Sequence, residues 1–157
     1  MQSDLVFPRA VDLAPPVQKP ALKAPWHLFL IGSAAVLWSL LGVFDFLATA
    51  TLYPPYMERF PAEAQAYWSA LPDWLYGTWA LGVFAGLAGA MLLVKRRISA
   101  VRVLVFSAAC TLLTMAASFS LPAPAYDGNR VSAVCIIVVS LLILNYAVHQ
   151  AKRGVLR

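Results

Sequence analysis

The sequence predicts an all-α integral membrane protein: a four-helix antiparallel bundle with both termini inside and a short interfacial helix in its first outer loop. Three observations carry this expectation. The chain of 157 residues is 61% hydrophobic and only 12% charged, about half the charged share of an ordinary soluble domain. Its apolar residues gather into four long runs separated by prolines, glycines and charges. Its basic residues fall on alternate connections between those runs. With a mean hydropathy of +0.73, this composition excludes a disordered chain, a coiled coil and a typical soluble globule. The length suits one domain.

Residues 1–24 are expected to form a polar cytoplasmic arm, because Pro8, Pro15, Pro16 and Pro20 block helix propagation. No apolar segment follows a short basic start there, so a signal peptide is not expected. Ala48-Thr49-Ala50 imitates a cleavage site, but the arm and the apolar stretch before it are too long for a leader. The transmembrane domain is placed at residues 25–150, and residues 151–157 form a basic tail. The first span covers residues 25–52. Pro25 suits a first helical turn, where its missing N–H costs nothing, and Pro54-Pro55 stops the helix. The second span, residues 74–94, carries no charge and is long enough for a hydrocarbon core of about 30 Å. The third and fourth spans cover residues 101–121 and 131–149. The fourth is rich in Val and Ile and would suggest a strand in water. In lipid an unpaired strand edge is untenable, so the expectation is a helix.

Charge sets the orientation. Arg9, Lys19 and Lys23 precede the first span, and Lys95, Arg96, Arg97 and Arg102 surround the connection between the second and third. Lys152, Arg153 and Arg157 follow the fourth. Only Arg59 and Arg130 lie on the other two connections. Ten of the twelve basic residues thus fall on one side, which predicts cytoplasmic termini in an inner membrane. The same placement accounts for the net charge of +5, so no nucleic-acid partner is expected. The expected partners are the lipid bilayer and either other membrane subunits or further copies of this chain. The connection between the third and fourth spans, with Pro122, Pro124 and Asp127-Gly128, is expected to be a short turn.

The long first outer connection is aromatic, with Tyr53, Tyr56, Phe60, Tyr67 and Trp68 before Trp74. Pro61 is suited to open a short helix through Trp68. Phe60, Ala64, Tyr67 and Leu71 then share one face, directed at the lipid interface or at the mouth of the bundle. Two uses are open: an aromatic belt anchoring the surface, or a lid whose rings, Tyr67 and Trp68 among them, pack on a solute.

Asp45 is the one acid inside an apolar run. Ionisable groups at membrane depth are costly and mark candidate sites. It lies about 10 Å outward of the helix midpoint near Trp38 at about 1.5 Å per residue. It is either a structural acid, bonded to loop N–H groups or to Arg59 or Arg130, or a proton- or solute-binding carboxylate. Trp38, Gly42 and Thr49 share its face by helical spacing. Small residues mark the expected packing surfaces: Gly32 and Gly42 on the first span, and Gly82, Gly86 and Gly89 on the second. They are expected to bring those two spans together, within one chain or between copies. Asn145 is expected to hydrogen-bond across helices. Cys110 and Cys135 are expected to be reduced, small apolar side chains. No paired carboxylates, phosphate loop, nucleophile–base set or metal-ligand cluster occurs. Accordingly no catalytic residue, no metal and no cofactor is assigned; His27 and His149 alone do not make a haem site.

Trp26-His27-Leu28, Leu37-Trp38, Gly42, Asp45-Phe46 and Thr49 form a pattern that continues with Tyr56-Met57, Phe60, Pro72, Trp74, Trp79-Ala80-Leu81-Gly82-Val83 and Gly86. This pattern resembles a group of small, uncharacterised four-span bacterial inner-membrane proteins, some automatically labelled "sugar transporter". The resemblance spans about Pro25 to Arg97, and the label implies transport. Two functions are therefore expected: a non-catalytic accessory or scaffold component of a membrane complex, or a small-solute, sugar-like transporter acting as a homo-oligomer.

Overall fold

The computed structural model describes residues 25–120 and 127–157. The proline-rich arm and the Pro122–Pro124 stretch lie outside them. Regular structure among the described residues is entirely helical: α1 (Trp26–Ala50), α2 (Pro54–Met57), α3 (Ala62–Ser69), α4 (Asp73–Val94), α5 (Ser99–Ser120) and α6 (Asp127–Lys152). Four helices, α1, α4, α5 and α6, are long and apolar enough to cross a membrane. The Val/Ile-rich fourth run is helical, as lipid-phase hydrogen bonding requires.

Local chemistry explains most boundaries. Pro25, Pro61 and Pro72 each stand as the N-cap of the helix that follows. Pro54-Pro55 does more than end the first span: it opens α2, where the missing N–H groups fall among those a helix start leaves unpaired. Three helix ends close in one pattern. After α1, Leu52 N–H donates to Thr49 O and Tyr53 N–H to Ala48 O, with Leu52 at φ 49°. After α4, Arg96 N–H donates to Leu93 O and Arg97 N–H to Leu92 O, with Arg96 at φ 59°. After α6, Gly154 at φ 71° completes the same pair of bonds. These are Schellman caps, which favour glycine at the left-handed residue; only the last one has it. At its other end α6 takes in Asp127-Gly128, which the sequence assigns to a turn.

The long helices pack in chain order: α1 on α4, α4 on α5, and α5 on α6. Glycines set these approaches. A Cβ at Gly32 would come within 2.7 Å of Val94 Cγ2, and one at Gly42 would touch Val83, so α1 presents its glycines to α4. The α4 glycines do not return that contact. Gly82 faces Thr111, Gly89 faces Leu104, and Gly86 faces Ser107 Oγ, with Ser39 further off. The GxxxG stretch expected to join the first two spans therefore receives α5 within the same chain. A helix offers more than one face, and the hydroxyls of α5 fit the grooves that glycine leaves open.

One end of the molecule is sealed. Leu28, Leu93, Ala100, Leu104, Ala147, Val155 and Leu156 form a buried apolar cluster there. The last residues belong to it. Arg157 N–H donates to Arg96 O at 2.7 Å, Ile98 N–H donates to Arg157 O at 2.6 Å, and Arg96 Nε donates to Val155 O at 3.2 Å. The basic tail is thus clasped to the α4–α5 turn. At this end α6 also meets α1, where His27 Nδ1 and the Tyr146 hydroxyl share a hydrogen bond of 2.7 Å. Asn145, expected to bond across helices, is exposed. The contact belongs to its neighbour Tyr146, a step of about 100° round the helix.

Candidate functional site

Toward the Asp45 end a cavity of about 330 Å³ is lined by α1, α4, α5 and α6 and is partly open. Leu104 lines it and also belongs to the buried cluster, so that cluster is the cavity's floor. From α1, Trp38, Gly42 and Asp45 reach it at successive helical turns, joined by Ser39 and Leu41. From α4 come Trp79, Gly82, Val83 and Gly86. On α5, Ser107, Thr111 and Thr114 recur at i, i+4 and i+7 and turn three hydroxyls to the same side. On α6, Ser132, Ile136 and Ser140 recur every four residues, next to Cys135 and Ile143. The exposed Ser132 and Cys135 on α6, and the exposed Leu41 on α1, mark where the wall is thin.

Three of these hydroxyls are bonded within the protein. Ser39 donates to Ala35 O at 2.8 Å and Ser107 to Gly82 O at 2.7 Å. Thr114 lies 2.9 Å from Cys110 O and 3.0 Å from Thr78 Oγ1. These bonds relieve the cost of placing a hydroxyl among apolar side chains. They also tie α4 to α5.

Asp45 stands half-buried at the top of the cavity. Its partner is the Tyr56 hydroxyl of α2, which donates to Oδ1; neither Arg59 nor Arg130 takes that place. Burial pushes the Tyr56 phenol well above the usual tyrosine range; the bond to Asp45 and the charge of Asp45 raise it further, and Arg59 opposes them. Tyr56 therefore holds its proton and donates at any neutral pH. From Tyr56 a chain of packed aromatic rings runs outward. Phe44 and Tyr56 are 5.7 Å apart, Tyr56 and Phe60 5.2 Å, and Phe60 and Trp68 4.8 Å. Such pairs hold one another in place beyond their buried area. Trp79 is fixed similarly, by Phe46 at 5.3 Å and Tyr76 at 6.1 Å.

Of the residues singled out in the sequence, the structure brings Asp45 and Trp38 together in the cavity wall, with Gly42, Gly82 and Gly86. It does not bring in the other three. Thr49 is buried elsewhere on α1, with no hydrogen-bond partner for its hydroxyl. Tyr67 is buried on α3 and its hydroxyl lies 3.5 Å from Ser118 O. Trp68 reaches Asp45 only through Phe60 and Tyr56, and its carbonyl accepts from the Tyr76 hydroxyl at 2.7 Å. The residues that sequence reasoning missed are Tyr56, Trp79 and the hydroxyls of α5 and α6. The fourfold and threefold spacing of Ser107, Thr111 and Thr114 was a usable signal. Among the described residues no three His, Cys, Asp or Glu side chains converge as a metal site requires. Compared with known families, curated proteins and solved structures, the chain matches none.

Proposed function

We propose that this is a multi-pass inner-membrane protein that binds a small organic solute in the cavity beside Asp45 and serves as a carrier for it. The orientation follows from the basic residues: both termini and the α4–α5 turn lie on the cytoplasmic side, the four spans run antiparallel, and α2 and α3 lie at the outer interface. In that frame the cavity occupies the outer half of the bundle and its floor seals the inner half. One observation supports the reading above others, a cavity of about 330 Å³ walled by a carboxylate and two indoles. Its volume matches the lower end of small-molecule pockets, about 300–1,000 Å³. Four spans leave one copy little room for a complete pathway, so the carrier acts as a homo-oligomer.

The test is recovery of the native ligand. Purified protein is incubated with a polar metabolite extract, washed and denatured, and the released compounds are identified by mass spectrometry. A compound recovered in stoichiometric amount from the wild type, and lost from a Ser140→Trp variant that fills the cavity, supports the reading. No compound retained by the wild type overturns it.

An accessory or scaffold role has one specific observation in its favour. α6 buries the smallest share of its span, 11% against 22–28% for the other three. Val131, Val134, Val138 and Leu142 leave a bare apolar face there. In this reading native purification in mild detergent yields a stoichiometric complex with a second protein. A homogeneous particle of this chain alone counts against it.

A further inference from the structure

The charge in the cavity is of one sign. Among the described residues that line it, Asp45 is the one acid, and there is no lysine, arginine or histidine. The hydroxyl protons of Ser39 and Ser107 are committed to main-chain carbonyls. Thr114 has its hydroxyl between Cys110 O and Thr78. A hydroxyl that has given away its proton still has lone pairs. Thr111, Ser140 and the indole N–H groups of Trp38 and Trp79 also line the wall, so it donates as well as accepts, and what sets it apart is its single negative charge. Tyr56 occupies Oδ1 of Asp45 and leaves the second carboxylate oxygen.

This inventory discriminates between ligand classes. A neutral polyol brings no charge to Asp45 and lays its hydroxyls against a wall that is mostly aliphatic. An anion meets a carboxylate and no counter-charge. A bare metal cation needs about six or more oxygen ligands, while most of this wall is Leu41, Val83, Leu104, Met115, Ile136 and Ile143. An organic cation satisfies all three constraints. Its charge is met by Asp45, any N–H groups find lone pairs, and its hydrocarbon body lies on the aliphatic wall. Trp38 and Trp79 add indole faces, the rings best suited to attract a cation.

We infer that the cavity takes a monovalent lipophilic cation, a substituted ammonium with an apolar body, using Asp45 as its counter-charge and Trp38 and Trp79 as its aromatic walls. The inference rests on the carrier reading above and names its substrate class.

Cys135 lines the cavity and is exposed, so its rate of alkylation reports occupancy. The full chain carrying Cys110→Ala is placed in phosphatidylcholine nanodiscs, and Cys135 is reacted with N-ethylmaleimide. Three probes are compared: phenyltrimethylammonium, its uncharged isostere tert-butylbenzene, and glucose. Phenyltrimethylammonium is expected to slow the reaction, and the other two to leave it unchanged. Asp45→Asn is expected to raise the concentration needed for protection about tenfold or more, the usual worth of a charge-assisted contact. Equal protection by tert-butylbenzene, protection by glucose alone, or an undiminished effect in Asp45→Asn would overturn the cation while leaving a ligand cavity. Protection by none of the three would overturn both. The comparison of the two isosteres in the unsubstituted site needs no variant at Asp45 to fold.

Discussion

Two glycines of α4 show how much a single Cβ decides. At Gly89 it would lie 2.7 Å from both Cγ and Cδ2 of Leu104 and 3.4 Å from the Leu104 backbone nitrogen. Leu104 is itself packed in the buried cluster, so pushing it aside disturbs that packing. Gly89→Ala is therefore expected to cost about 1–3 kcal/mol, as overpacking does. At Gly77 nothing lies within 4 Å, and alanine there is expected to gain about 1 kcal/mol from helix propensity. Unfolding midpoints in mixed micelles should move in opposite directions for the two variants; a shared direction would refute the packing argument. Tyr56 supplies a second residue-scale expectation. Its phenol is raised first by burial, then by the bond to Asp45 and by the charge of Asp45. A folded value above the unfolded one gives stability that is fully present below the ordinary tyrosine range. That stability is lost only as the pH climbs through the raised value. Tyr56 thus adds no pH dependence near neutrality. Asp45→Asn removes the charge, so alkaline difference spectroscopy should show Tyr56 ionising at lower pH. An unchanged midpoint would mean that Asp45 contributes nothing.

At the scale of elements, the closed end is held by the last residues of the chain as much as by the helices. Val155 and Leu156 are buried, and the Arg157 backbone is paired on both sides with the α4–α5 turn. Leu156→Ala is expected to cost about 2–5 kcal/mol, the range for truncating a buried leucine. Tyr146→Phe, which removes the hydroxyl bonded to His27, is expected to cost about 1 kcal/mol, as interhelical bonds in lipid do. A larger loss for the tyrosine than for the leucine would reverse this ranking. The span helices were legible because an apolar run in lipid has one backbone solution, and α3 because Pro61 precedes a run of helix formers. The tail is basic in sequence, yet the Arg153 and Arg157 charges flank Val155-Leu156, and it is those two that dock. The candidate site was legible by half. Asp45 and Trp38 declare themselves as a rare acid and an indole on one helical face. Thr49 shares that face on paper, but it stands about one turn beyond Asp45, which carries it past the cavity to a buried position at the end of α1. Tyr56 was invisible because its bond to Asp45 depends on the left-handed turn at Leu52, and a leucine gives no sign of such a turn.

Across the whole molecule, the two ends differ in kind. One is closed by an apolar cluster, a backbone clasp and the His27–Tyr146 bond. The other holds a cavity, a carboxylate and a short aromatic connection. In the proposed orientation, which rests on the basic residues, the closed end lies at the cytoplasm and the cavity at the outside. Ser69 on α3 and Lys152 on α6 are both exposed and belong to opposite ends. In a background carrying Cys110→Ala and Cys135→Ala, Ser69→Cys is expected to react with a membrane-impermeant maleimide on intact cells. Lys152→Cys is expected to react only after the cells are opened. The reverse pattern would put the cavity on the cytoplasmic face and the clasp outside, and the charge argument would fail together with the direction of binding. Labelling of both positions on intact cells would mean that the chain is not held across one bilayer in a single orientation. The position of one reactive thiol thus tests the charge rule and the functional polarity of the fold at once.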